Sequence, residues 1–506
     1  MIMGPATLLG FTAPALSYAV AISSQSEKAQ AVKKAFELSW KGYHENAFPH
    51  DTLKPIARSY ENDRNGWGVT AIDSLTTAII MGESDIVDQI LDFAPQIDFT
   101  TTVKVNETIS VFESNIRYLG GYDLLKGPMS SMAPSDSARV DALLEQAKSL
   151  AESLSVAFDT PSGVHTGEII LNPFPQRSGD GTNSIAGMGT LVLEWTRLSD
   201  LTGNPKYATL AQRAEDHLLN PKGKPEAFPG LVGSSVSVET GEFLDSSGGW
   251  SGGTDSFYEY LIKMYLYNPD TFGRYRDRWV AAADSTMEHL ASHPSSRKDL
   301  TFLAAFNGST LRPQSGHLAS FAGGNFILGG ILLKEQKYID FGIELANSYY
   351  SAYTSTASGI GPEGFQWTIA GDDSTGGAPP GDWQGFYDKA GFWVTSSYYI
   401  LRPETVESLY YAYRVTGDSK YQDFAWDAFQ RIQTLCRSGV GYAGLADVTV
   451  QSGSSQYDLQ ESFWAAETLK YLYLIFAPES PLQVSATGPN EYVYNTEAHP
   501  FKVRSR

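Results

Sequence analysis

The sequence is almost without cysteine. Cys436 is the single cysteine among 506 residues, so an intrachain disulfide cannot form. Taken alone, this composition is typical of a protein in a reducing compartment. Histidine is scarce as well, with eight residues scattered along the chain. Because HExxH and CxxC motifs are both missing, a zinc site is not expected.

Positive charge is also in deficit. The chain carries 37 Lys and Arg against 57 Asp and Glu, which gives a formal net charge of -20. Such a surface repels phosphate backbones and anionic lipids, so nucleic acid and a charged membrane surface are excluded as partners. The composition is still that of a folded globular protein, with 42% apolar residues. Aromatic residues reach 12%, which suits both a large helical core and sugar binding.

Long apolar runs are missing except near the N-terminus. Residues 6–22 are almost uncharged and end in an A-x-A pattern at residues 19–21, which is typical of a signal peptidase site. The run is too short for a comfortable membrane span, and Pro14 and Ser17 interrupt it. We therefore predict a signal peptide over residues 1–21, although no Lys or Arg precedes the run. We also expect no stable membrane anchor and a location in the secretory lumen or outside the cell.

Residues 22–506 contain neither a Pro/Ser-rich linker nor a long charge run, so we predict one domain. Helical spacing dominates, and related turns recur, as LTGNPKY at 201–207 and VTGDSKY at 415–421. Repeated helix–turn–helix units can form an open solenoid or a closed toroid. Glycine-rich loops such as 371–381 favour the toroid, because they suit an enzyme whose site lies at one end of a barrel.

Two carboxylates stand where helices are expected to begin. Glu113 follows Ser110 at the spacing of a capping box and precedes Arg117 by one turn. A helix cap with a routine ion pair explains this pattern as well as a buried catalytic acid does, and from the residues alone we favour the cap. Asp255 opens an aromatic helix after a glycine-rich loop, where an acid also suits the helix dipole.

Three further glutamates lie nearer the C-terminus. Glu404 and Glu407 share one helix face, and adjacent acids raise each other's pKa unless a cation intervenes. Glu467 lies among large apolar residues, where a solvated helix face is not expected. Several such acids fit a cavity ringed by carboxylates. Glycoside hydrolysis needs this chemistry: one acid for the leaving oxygen and one carboxylate that attacks or activates water.

A competing motif is the GWSGG string at residues 249–253, which matches the nucleophile elbow of serine hydrolases around Ser251. That elbow needs a buried strand before it, whereas here the preceding loop is polar and glycine-rich. We therefore do not expect a serine hydrolase. A non-catalytic helical scaffold is the remaining alternative, and it would need none of Glu113, Asp255 or Glu404.

Eight short segments carry a more specific pattern. They are residues 50–55 (HDTLKP), 110–121 (SVFESNIRYLGG), 255–261 (DSFYEYL), 317–318 (HL), 361–363 (GPE), 401–408 (LRPETVES), 466–471 (AETLKY) and 495–500 (NTEAHP). In this order they resemble the class I α-mannosidases, glycoside hydrolase family 47, and most closely the secreted fungal branch. The resemblance implies an all-α fold, an (α/α)7 barrel with long loops and minor β-hairpins, as a single catalytic domain over residues 22–506.

The resemblance also implies roles for individual residues. Glu113 takes the place of the general acid, directly or through a water, and Glu404 that of the general base, with Asp255 as the competing base. Glu363 matches a further catalytic position. Thr496 matches a Ca²⁺ ligand through its carbonyl and hydroxyl oxygens. The positions that match the pocket for the departing mannose are Arg117, His317, Arg402, Glu407, Phe463, Glu467 and Glu497.

The implied activity is a Ca²⁺-dependent, inverting removal of terminal α-1,2-linked mannose from high-mannose N-glycans, from Man9GlcNAc2 towards Man5GlcNAc2, by a monomer. Inversion predicts two carboxyl groups separated by roughly 6.5–9.5 Å. Sequons at Asn106 and Asn307 agree with a secretory glycoprotein, although two such triplets also occur by chance. The alternative is a related glycan-binding protein of quality control that turns over little substrate.

The chain departs from the family pattern at two positions. Many relatives carry a paired Cys where this chain has Ser320, so packing must replace a disulfide whose loss commonly costs about 2–5 kcal/mol. Two residues before Asp255, endoplasmic-reticulum relatives carry Arg and this chain has Gly253. The smaller residue is expected to widen the space for glycan branches, which predicts removal of several mannoses.

Overall fold

A computed structural model describes residues 14–118, 125–127, 137–371 and 377–504 of the chain, with side chains from residue 25 onward. The first 13 residues of the predicted signal peptide lie outside this range, as do Leu119, Gly120 and Gly121 of the family segment. From Pro14 the chain forms one helix across residue 21. Within the described residues, no helix is long and apolar enough to cross a membrane.

Helices dominate the described part of the chain and alternate between two concentric layers. The outer helices are α1 (Pro14–Asn46), α3 (Ser84–Phe93), α5 (Ser137–Leu154), α8 (Lys206–Leu219), α10 (Gly273–Ser285), α12 (Gln336–Ser355) and α15 (Lys420–Leu435). The inner helices are α2 (Val69–Met81), α4 (Val111–Tyr118), the pair α6 (Ile185–Gly189) and α7 (Val192–Thr202), α9 (Asp255–Tyr267), α11 (Ala322–Leu333), α14 (Glu404–Thr416) and α16 (Leu469–Leu474). Helix α13 (Gln384–Ala390) lies in the connection between α12 and α14.

The inner helices close into a ring. Each one packs on the next in the order α2, α4, α6, α9, α11, α14 and α16, and α16 returns to α2. The fold is therefore an (α/α)7 barrel, and the prediction of a closed toroid is confirmed. Inner helices are buried nearly all round, as α2 is, because they face the barrel interior and the outer layer at once. Outer helices bury one stripe, as α3 does with Ile86, Val87, Ile90 and Leu91.

Short irregular helices join several of these elements. They are the 3₁₀ turns Ala94–Gln96, Ser155–Phe158, Leu318–Phe321 and Gly381–Trp383 and the π turns Thr286–Leu290 and Trp464–Thr468. The turn Leu318–Phe321 leads into α11, and Trp464–Thr468 leads into α16. One glycine allows a very close approach between the layers: a Cβ on Gly329 would lie 2.1 Å from the Trp279 ring.

The strands are short and pair only antiparallel within the described residues. The three-stranded sheets are β3 (Ile109–Ser110), β4 (Glu168–Ile170) and β5 (Gln176–Ser178); β8 (Ser247–Gly248), β11 (Ala305–Asn307) and β12 (Thr310–Arg312); and β13 (Gln314–Gly316), β14 (Gly364–Gln366) and β15 (Trp393–Ser396). The two-stranded pairs are β1 (Thr52–Lys54) with β2 (Ser59–Glu61), β6 (Thr182–Ser184) with β7 (Ser235–Ser237), β9 (Ala291–Ser292) with β10 (Phe302–Leu303), β16 (Arg437–Ser438) with β17 (Gly441–Tyr442), and β18 (Tyr492–Tyr494) with β19 (Pro500–Lys502).

The β18–β19 hairpin is buried against α9 and places the turn of residues 495–499 inside the barrel. The Asn495 side-chain oxygen accepts hydrogen bonds from the backbone N–H groups of Glu497 and His499. Lys470 donates a hydrogen bond to the carbonyl of Ala498, whose φ of 57° is unusual for a residue with a side chain. The turn is therefore held rigidly from both sides.

Candidate active site

One end of the barrel opens into a cavity of about 520 Å³. Its wall is formed largely where the inner helices begin, and its base includes the turn between β18 and β19. The predicted site residues that line it are Glu113, Asp255, Arg402, Glu404, Glu407, Phe463, Glu467 and Thr496. The other predicted site residues contact this lining, either directly or through the network behind it: Arg117, His317, Glu363 and Glu497. All of them are thus brought together from distant parts of the chain.

Glu404 begins α14 and is held by His317. The imidazole Nδ1 lies 2.7 Å from Glu404 Oε2, and the imidazole Nε2 lies 2.7 Å from the hydroxyl of Tyr353. Burial alone would raise the pKa of Glu404, but the His317 hydrogen bond and the charge of Arg402 outweigh it and hold that pKa below its usual value. Glu404 is therefore an ionised carboxylate at neutral pH.

Arg402 makes a bidentate ion pair with Glu363. Its Nε and Nη2 atoms lie 2.7 Å from the two carboxylate oxygens. The same guanidinium lies 3.6 Å from Glu404. The preceding residue, Leu401, has a φ of 71°, a strained conformation for a bulky side chain, and its carbonyl accepts a hydrogen bond from Thr468. Such strain at the cavity wall is typical of a site where orientation matters more than local stability.

Glu113 lies in the first turn of α4 and is paired with Arg117. The Arg117 Nη2 and Nε atoms lie 2.7 and 2.8 Å from Glu113 Oε2, and Ser110 Oγ accepts the Glu113 backbone N–H as the capping box predicts. About 31% of the Glu113 side chain remains exposed, toward the cavity. Burial would raise the Glu113 pKa, yet Arg117 and Arg64 together lower it.

Behind Glu113, Arg117 is the centre of a buried network. Its Nη1 donates to Ser462 Oγ at 3.0 Å, to Asp73 Oδ2 at 3.2 Å, and to Glu497. Asp73 Oδ2 also accepts a hydrogen bond from the Ser462 hydroxyl, and Asp73 Oδ1 lies 3.3 Å from His499 Nε2. Each charge in this network has an opposite charge or a hydrogen-bond donor beside it, as buried charges require.

Asp255 and Glu259 face the cavity from the first two turns of α9. Asp255 Oδ1 accepts the backbone N–H of Ser256 at 2.8 Å. Burial raises the pKa of Asp255 to about 7, with the charges of Glu259 and Glu404 adding to the effect. Glu259 is paired with buried Lys263, one turn further along the helix. With a pKa of about 7, the Asp255 carboxyl group is partly protonated and partly ionised near neutral pH.

Three acids crowd the base of the cavity. Burial raises the pKa of Glu407 to about 8; the charge of Lys263 opposes this rise, and the charges of Glu259 and Glu404 add to it. Burial, followed by the neighbouring carboxylates, also raises the pKa values of Glu467 and Glu497 well above their usual range. Their crowding therefore favours the protonated forms of these acids, and a cation bound beside them would favour ionisation.

Thr496 lies beside these acids with part of its surface open to the cavity. Its backbone N–H donates to the Tyr260 hydroxyl at 3.2 Å, and that hydroxyl donates to Glu194 at 2.6 Å, so the residue is fixed in place. Oxygen donors beside several acids fit a hard cation such as Ca²⁺. Nevertheless, the described residues contain no group of three or more His, Cys, Asp or Glu side chains spaced to hold a metal ion. Thr496 could hold Ca²⁺ only if water or substrate oxygens completed its coordination.

The ring order of the helices places the two ionised carboxylates on opposite walls. Glu113 on α4 and Glu404 on α14 are three positions apart around the ring of inner helices, the largest separation that seven helices permit. Asp255 on α9 lies two positions from each of them. A ligand bound between Glu113 and Glu404 would therefore meet a carboxylate on each side.

The serine hydrolase interpretation finds no support in this geometry. Ser251 follows the two-residue strand β8, which belongs to a small antiparallel sheet, whereas a nucleophile elbow needs a buried parallel sheet. Cys436 is buried and free, and burial raises the pKa of its thiol. Ser320 donates to the carbonyl of His317 at 2.5 Å and lies 3.0 Å from the Thr405 hydroxyl. These hydrogen bonds hold the buried Ser320 in place.

Two residues of the site were missed by the reasoning from sequence. Glu259 follows Asp255 at the i+4 spacing that puts both on one helix face, so the sequence does carry a signal that Glu259 shares the cavity with Asp255. Asp73 is the single acid in the otherwise apolar and hydroxyl-bearing helix α2, and a buried acid in such a helix indicates a partner elsewhere in the fold.

Comparison with known proteins agrees with this geometry. The model of Glycosyl hydrolase family 47 matches residues 35–503. The mannosyl-oligosaccharide alpha-1,2-mannosidase 1B of Aspergillus phoenicis is 49% identical over 99% of this chain and 98% of its own length. A mannosyl-oligosaccharide alpha-1,2-mannosidase of Coccidioides posadasii is 52% identical over 96% and 92%. The solved alpha-1,2-mannosidase of Trichoderma reesei has a TM-score of 0.93 and 62% identity over 95% of this chain and 99% of that one. This chain belongs to glycosyl hydrolase family 47.

Proposed function

We propose that the protein is an exo-acting α-1,2-mannosidase that removes terminal α-1,2-linked mannose from high-mannose N-glycans, from Man9GlcNAc2 towards Man5GlcNAc2, with inversion at C1. The observation that carries this proposal is the placement of Glu113 and Glu404 on opposite walls of one cavity. Inverting glycosidases need an acid and a base on opposite faces of the sugar, with room for a water.

Glu404 is the proposed general base. Its lowered pKa keeps it ionised, and His317 and Arg402 fix its orientation. An ionised carboxylate accepts a proton from a water that attacks C1 from the Glu404 side. The bond between C1 and the glycosidic oxygen breaks as the new C1–O bond forms, and the sugar inverts.

The leaving oxygen needs a proton, and Glu113 on the opposite wall is the proposed source. Because Arg117 and Arg64 keep Glu113 ionised, its carboxylate would orient a water that donates its own proton to the leaving oxygen. The proton that Glu404 takes from the attacking water would then return through solvent to the hydroxide left beside Glu113. Asp255 is the second candidate for the acid, since its pKa of about 7 leaves a proton on the carboxyl near neutral pH. The resemblance gives Asp255 instead as a competing base, and its raised pKa makes the acid role the more favourable of the two.

Exo specificity follows from the closed base of the cavity. The β18–β19 turn fills the barrel below Thr496, so a terminal sugar can enter and a continuing chain cannot pass through. Phe463 offers an apolar ring to the sugar, and the Arg402–Glu363 pair offers polar contacts beside it. A mannose with its glycosidic oxygen directed outward would present its C1 between the two walls.

Thr496 is the proposed direct ligand of Ca²⁺, with its hydroxyl and carbonyl oxygens. Bound there, the ion would favour the ionised forms of Glu407, Glu467 and Glu497 and would contact sugar hydroxyl groups, which favours a distorted ring. In addition, we propose residues 22–506 as one catalytic domain that follows a cleaved signal peptide. Both sequon asparagines, Asn106 and Asn307, are exposed, which supports a glycoprotein in the secretory lumen or outside the cell. We also propose that it acts as a monomer.

A turnover assay on Man9GlcNAc2 tests the proposal. Wild-type protein should release free mannose until Man5GlcNAc2 remains, EDTA should stop the reaction, and added Ca²⁺ should restore it. Glu404→Gln, which preserves shape and removes the base, should bind the glycan without turnover. Wild-type protein that binds Man9GlcNAc2 and releases no mannose under any of these conditions would establish the glycan-binding alternative instead.

A further inference from the structure

A second, shallower depression of about 380 Å³ lies at the rim of the barrel, outside the catalytic cavity. We call it the tyrosine groove; its side-chain walls are Lys54, Glu61, Tyr398, Ile400, Tyr457 and Leu459. The Tyr398 and Tyr457 rings meet edge to face with centroids 6.3 Å apart. Tyr457 is 44% exposed, a large fraction for an aromatic side chain without an assigned role.

The backbone beneath the tyrosine groove is rigidly paired. Tyr399 and Leu445 exchange two hydrogen bonds of 2.9 and 2.8 Å, and the Tyr457 N–H donates to the carbonyl of Gly444 at 2.9 Å. The Gln460 N–H donates to the carbonyl of Leu53, also at 2.9 Å. The exposed rings therefore stand on a preformed base, and a ligand would not have to order it.

The same chain segments continue into the catalytic cavity. Ile400 precedes cavity residue Arg402 by two positions, and Leu459 precedes Phe463 by four. The Glu363 N–H donates to the carbonyl of Tyr398 at 3.0 Å. Glu461 lines the tyrosine groove and lies near enough to Arg117 and Arg402 of the catalytic site for their charges to act on its carboxyl group. A ligand that leaves the cavity on this side would pass Glu461 and reach the two rings.

The chemistry of the groove suits a neutral polyol. Aromatic faces carry negative charge density and attract the weakly positive C–H groups on one face of a pyranose ring. Lys54 and Glu61, 3.4 Å apart, offer donors and acceptors for hydroxyl groups. The carboxylate of Asp458 is already used by the backbone N–H groups of Ile56 and Ala57, so it stabilises the groove wall. An anionic ligand is disfavoured because three acids, Glu61, Asp458 and Glu461, line the groove with a single lysine.

From these observations we propose that the tyrosine groove is a binding subsite for mannose residues that are not cleaved, on another arm of the same N-glycan whose terminal mannose occupies the catalytic cavity. This inference rests on the proposed function, because that function defines the cavity as the place of the scissile mannose. The groove then contributes affinity for large, branched substrates and none for a disaccharide.

The test compares two substrates in Tyr457→Ala and in the matched variant Tyr60→Ala. Tyr60 is 49% exposed on a neighbouring strand, and it stacks on His50 outside the groove lining. For Man9GlcNAc2, kcat/KM should fall about three- to tenfold in Tyr457→Ala, mainly through KM, if the ring contributes as one aromatic contact. For α-1,2-mannobiose, kcat/KM should stay at the wild-type value. Tyr60→Ala should leave both substrates unchanged.

Two further measurements separate failure of the subsite from failure of the proposed function. Tyr457→Phe keeps the ring and should retain the wild-type KM for Man9GlcNAc2. Isothermal titration with Man5GlcNAc2, which needs no turnover, should show weaker binding to Tyr457→Ala than to wild type. Equal binding of Man5GlcNAc2, or an equal loss of kcat/KM on both substrates, would overturn the subsite. Wild-type protein without activity on mannobiose and Man9GlcNAc2 would overturn the proposed function on which the subsite rests.

Discussion

The Nδ1 atom of His317 lies 2.7 Å from the Glu404 carboxylate. The Nε2 atom of the same imidazole lies 2.7 Å from the hydroxyl of Tyr353, which stays protonated because burial raises its pKa. With a proton on Nδ1, the imidazole donates a hydrogen bond to the ionised Glu404 and can accept one from Tyr353 at Nε2. This chain of hydrogen bonds keeps Glu404 ionised and aimed at the cavity.

The first prediction concerns this pair. His317→Ala removes the donor that lowers the Glu404 pKa, so that pKa should rise. Because a general base acts only when ionised, kcat/KM should begin to fall at a higher pH on the acidic side than in wild type. Glu404→Gln should lose activity by about 10²–10⁴-fold at all pH values. The measurement is the pH profile of kcat/KM with mannobiose; an acidic limb that does not move in His317→Ala would contradict the assignment.

The second prediction identifies the proton donor. Mannosyl fluoride has a leaving group that needs no protonation, so a variant that lacks only the acid should hydrolyse it well. Glu113→Gln should lose about 10²–10⁴-fold on the glycan and far less on the fluoride. Glu404→Gln should lose activity on both substrates, which makes it the control. If Asp255→Asn hydrolyses mannosyl fluoride well and Glu113→Gln does not, Asp255 is the acid.

The third prediction concerns stability. Arg117→Ala would leave Asp73 and Glu497 buried without their cation, which should cost about 3–5 kcal/mol of unfolding free energy. Arg139 pairs with Asp88 and Asp92 at the surface, and Arg139→Ala should cost less than about 1 kcal/mol.

Urea unfolding followed by tryptophan fluorescence measures both variants. Similar midpoints for Arg117→Ala and Arg139→Ala would show that the buried network contributes little to folding. Since Arg117 also holds Glu113, activity of Arg117→Ala should be compared only where that variant is folded.

The fourth prediction concerns Ca²⁺. A cation that binds only the folded state raises the unfolding temperature, and the rise grows with the logarithm of the cation concentration once this exceeds Kd. Wild type should therefore melt at a higher temperature with Ca²⁺ than with EDTA, and Thr496→Ser, which keeps both proposed ligand oxygens, should behave likewise. Thr496→Val, which removes the hydroxyl and keeps the shape, should lose most of this shift. Differential scanning fluorimetry reads the effect without turnover, and an identical shift in Thr496→Val would place Ca²⁺ elsewhere.

The fifth prediction concerns Gly253 at the cavity wall. A Cβ there would come no closer than 3.9 Å to Ser184, so space is available, but a φ of 86° strains any other residue. Gly253→Ala should cost roughly 1–2 kcal/mol of stability and keep the wild-type products. Gly253→Arg adds bulk to the same strain and should stop trimming of Man9GlcNAc2 at larger glycans. Mass spectrometry identifies the glycans that each variant leaves. Identical products from both variants would contradict a role of this space in branch selection.

Several parts of the site could be predicted from local sequence. The i, i+3 spacing of Glu404 and Glu407 put both on one face, and both line the cavity. The capping box of Ser110 and Glu113 is present, and the same glutamate also reaches the cavity. A helix cap and a catalytic acid are thus compatible interpretations of Glu113.

Other features depend on contacts between distant parts of the chain. Closure of the barrel requires α16 to pack on α2, almost 400 residues earlier, as the bond from Lys470 to Thr76 shows with its separation of 394 residues. Periodicity cannot reveal such contacts, and the number of hairpins came from the family resemblance. Asp73 shows the same limit, since its partners Arg117, Ser462 and His499 lie in three other segments.

The stereochemistry of the released sugar tests the central claim most directly. Proton NMR during the first minutes of hydrolysis distinguishes α- from β-mannose before the anomers equilibrate. Attack by a water on the Glu404 side, opposite the leaving group, predicts that β-mannose appears first. Initial release of α-mannose would contradict the account, because it requires a retaining mechanism and different roles for Glu113 and Glu404.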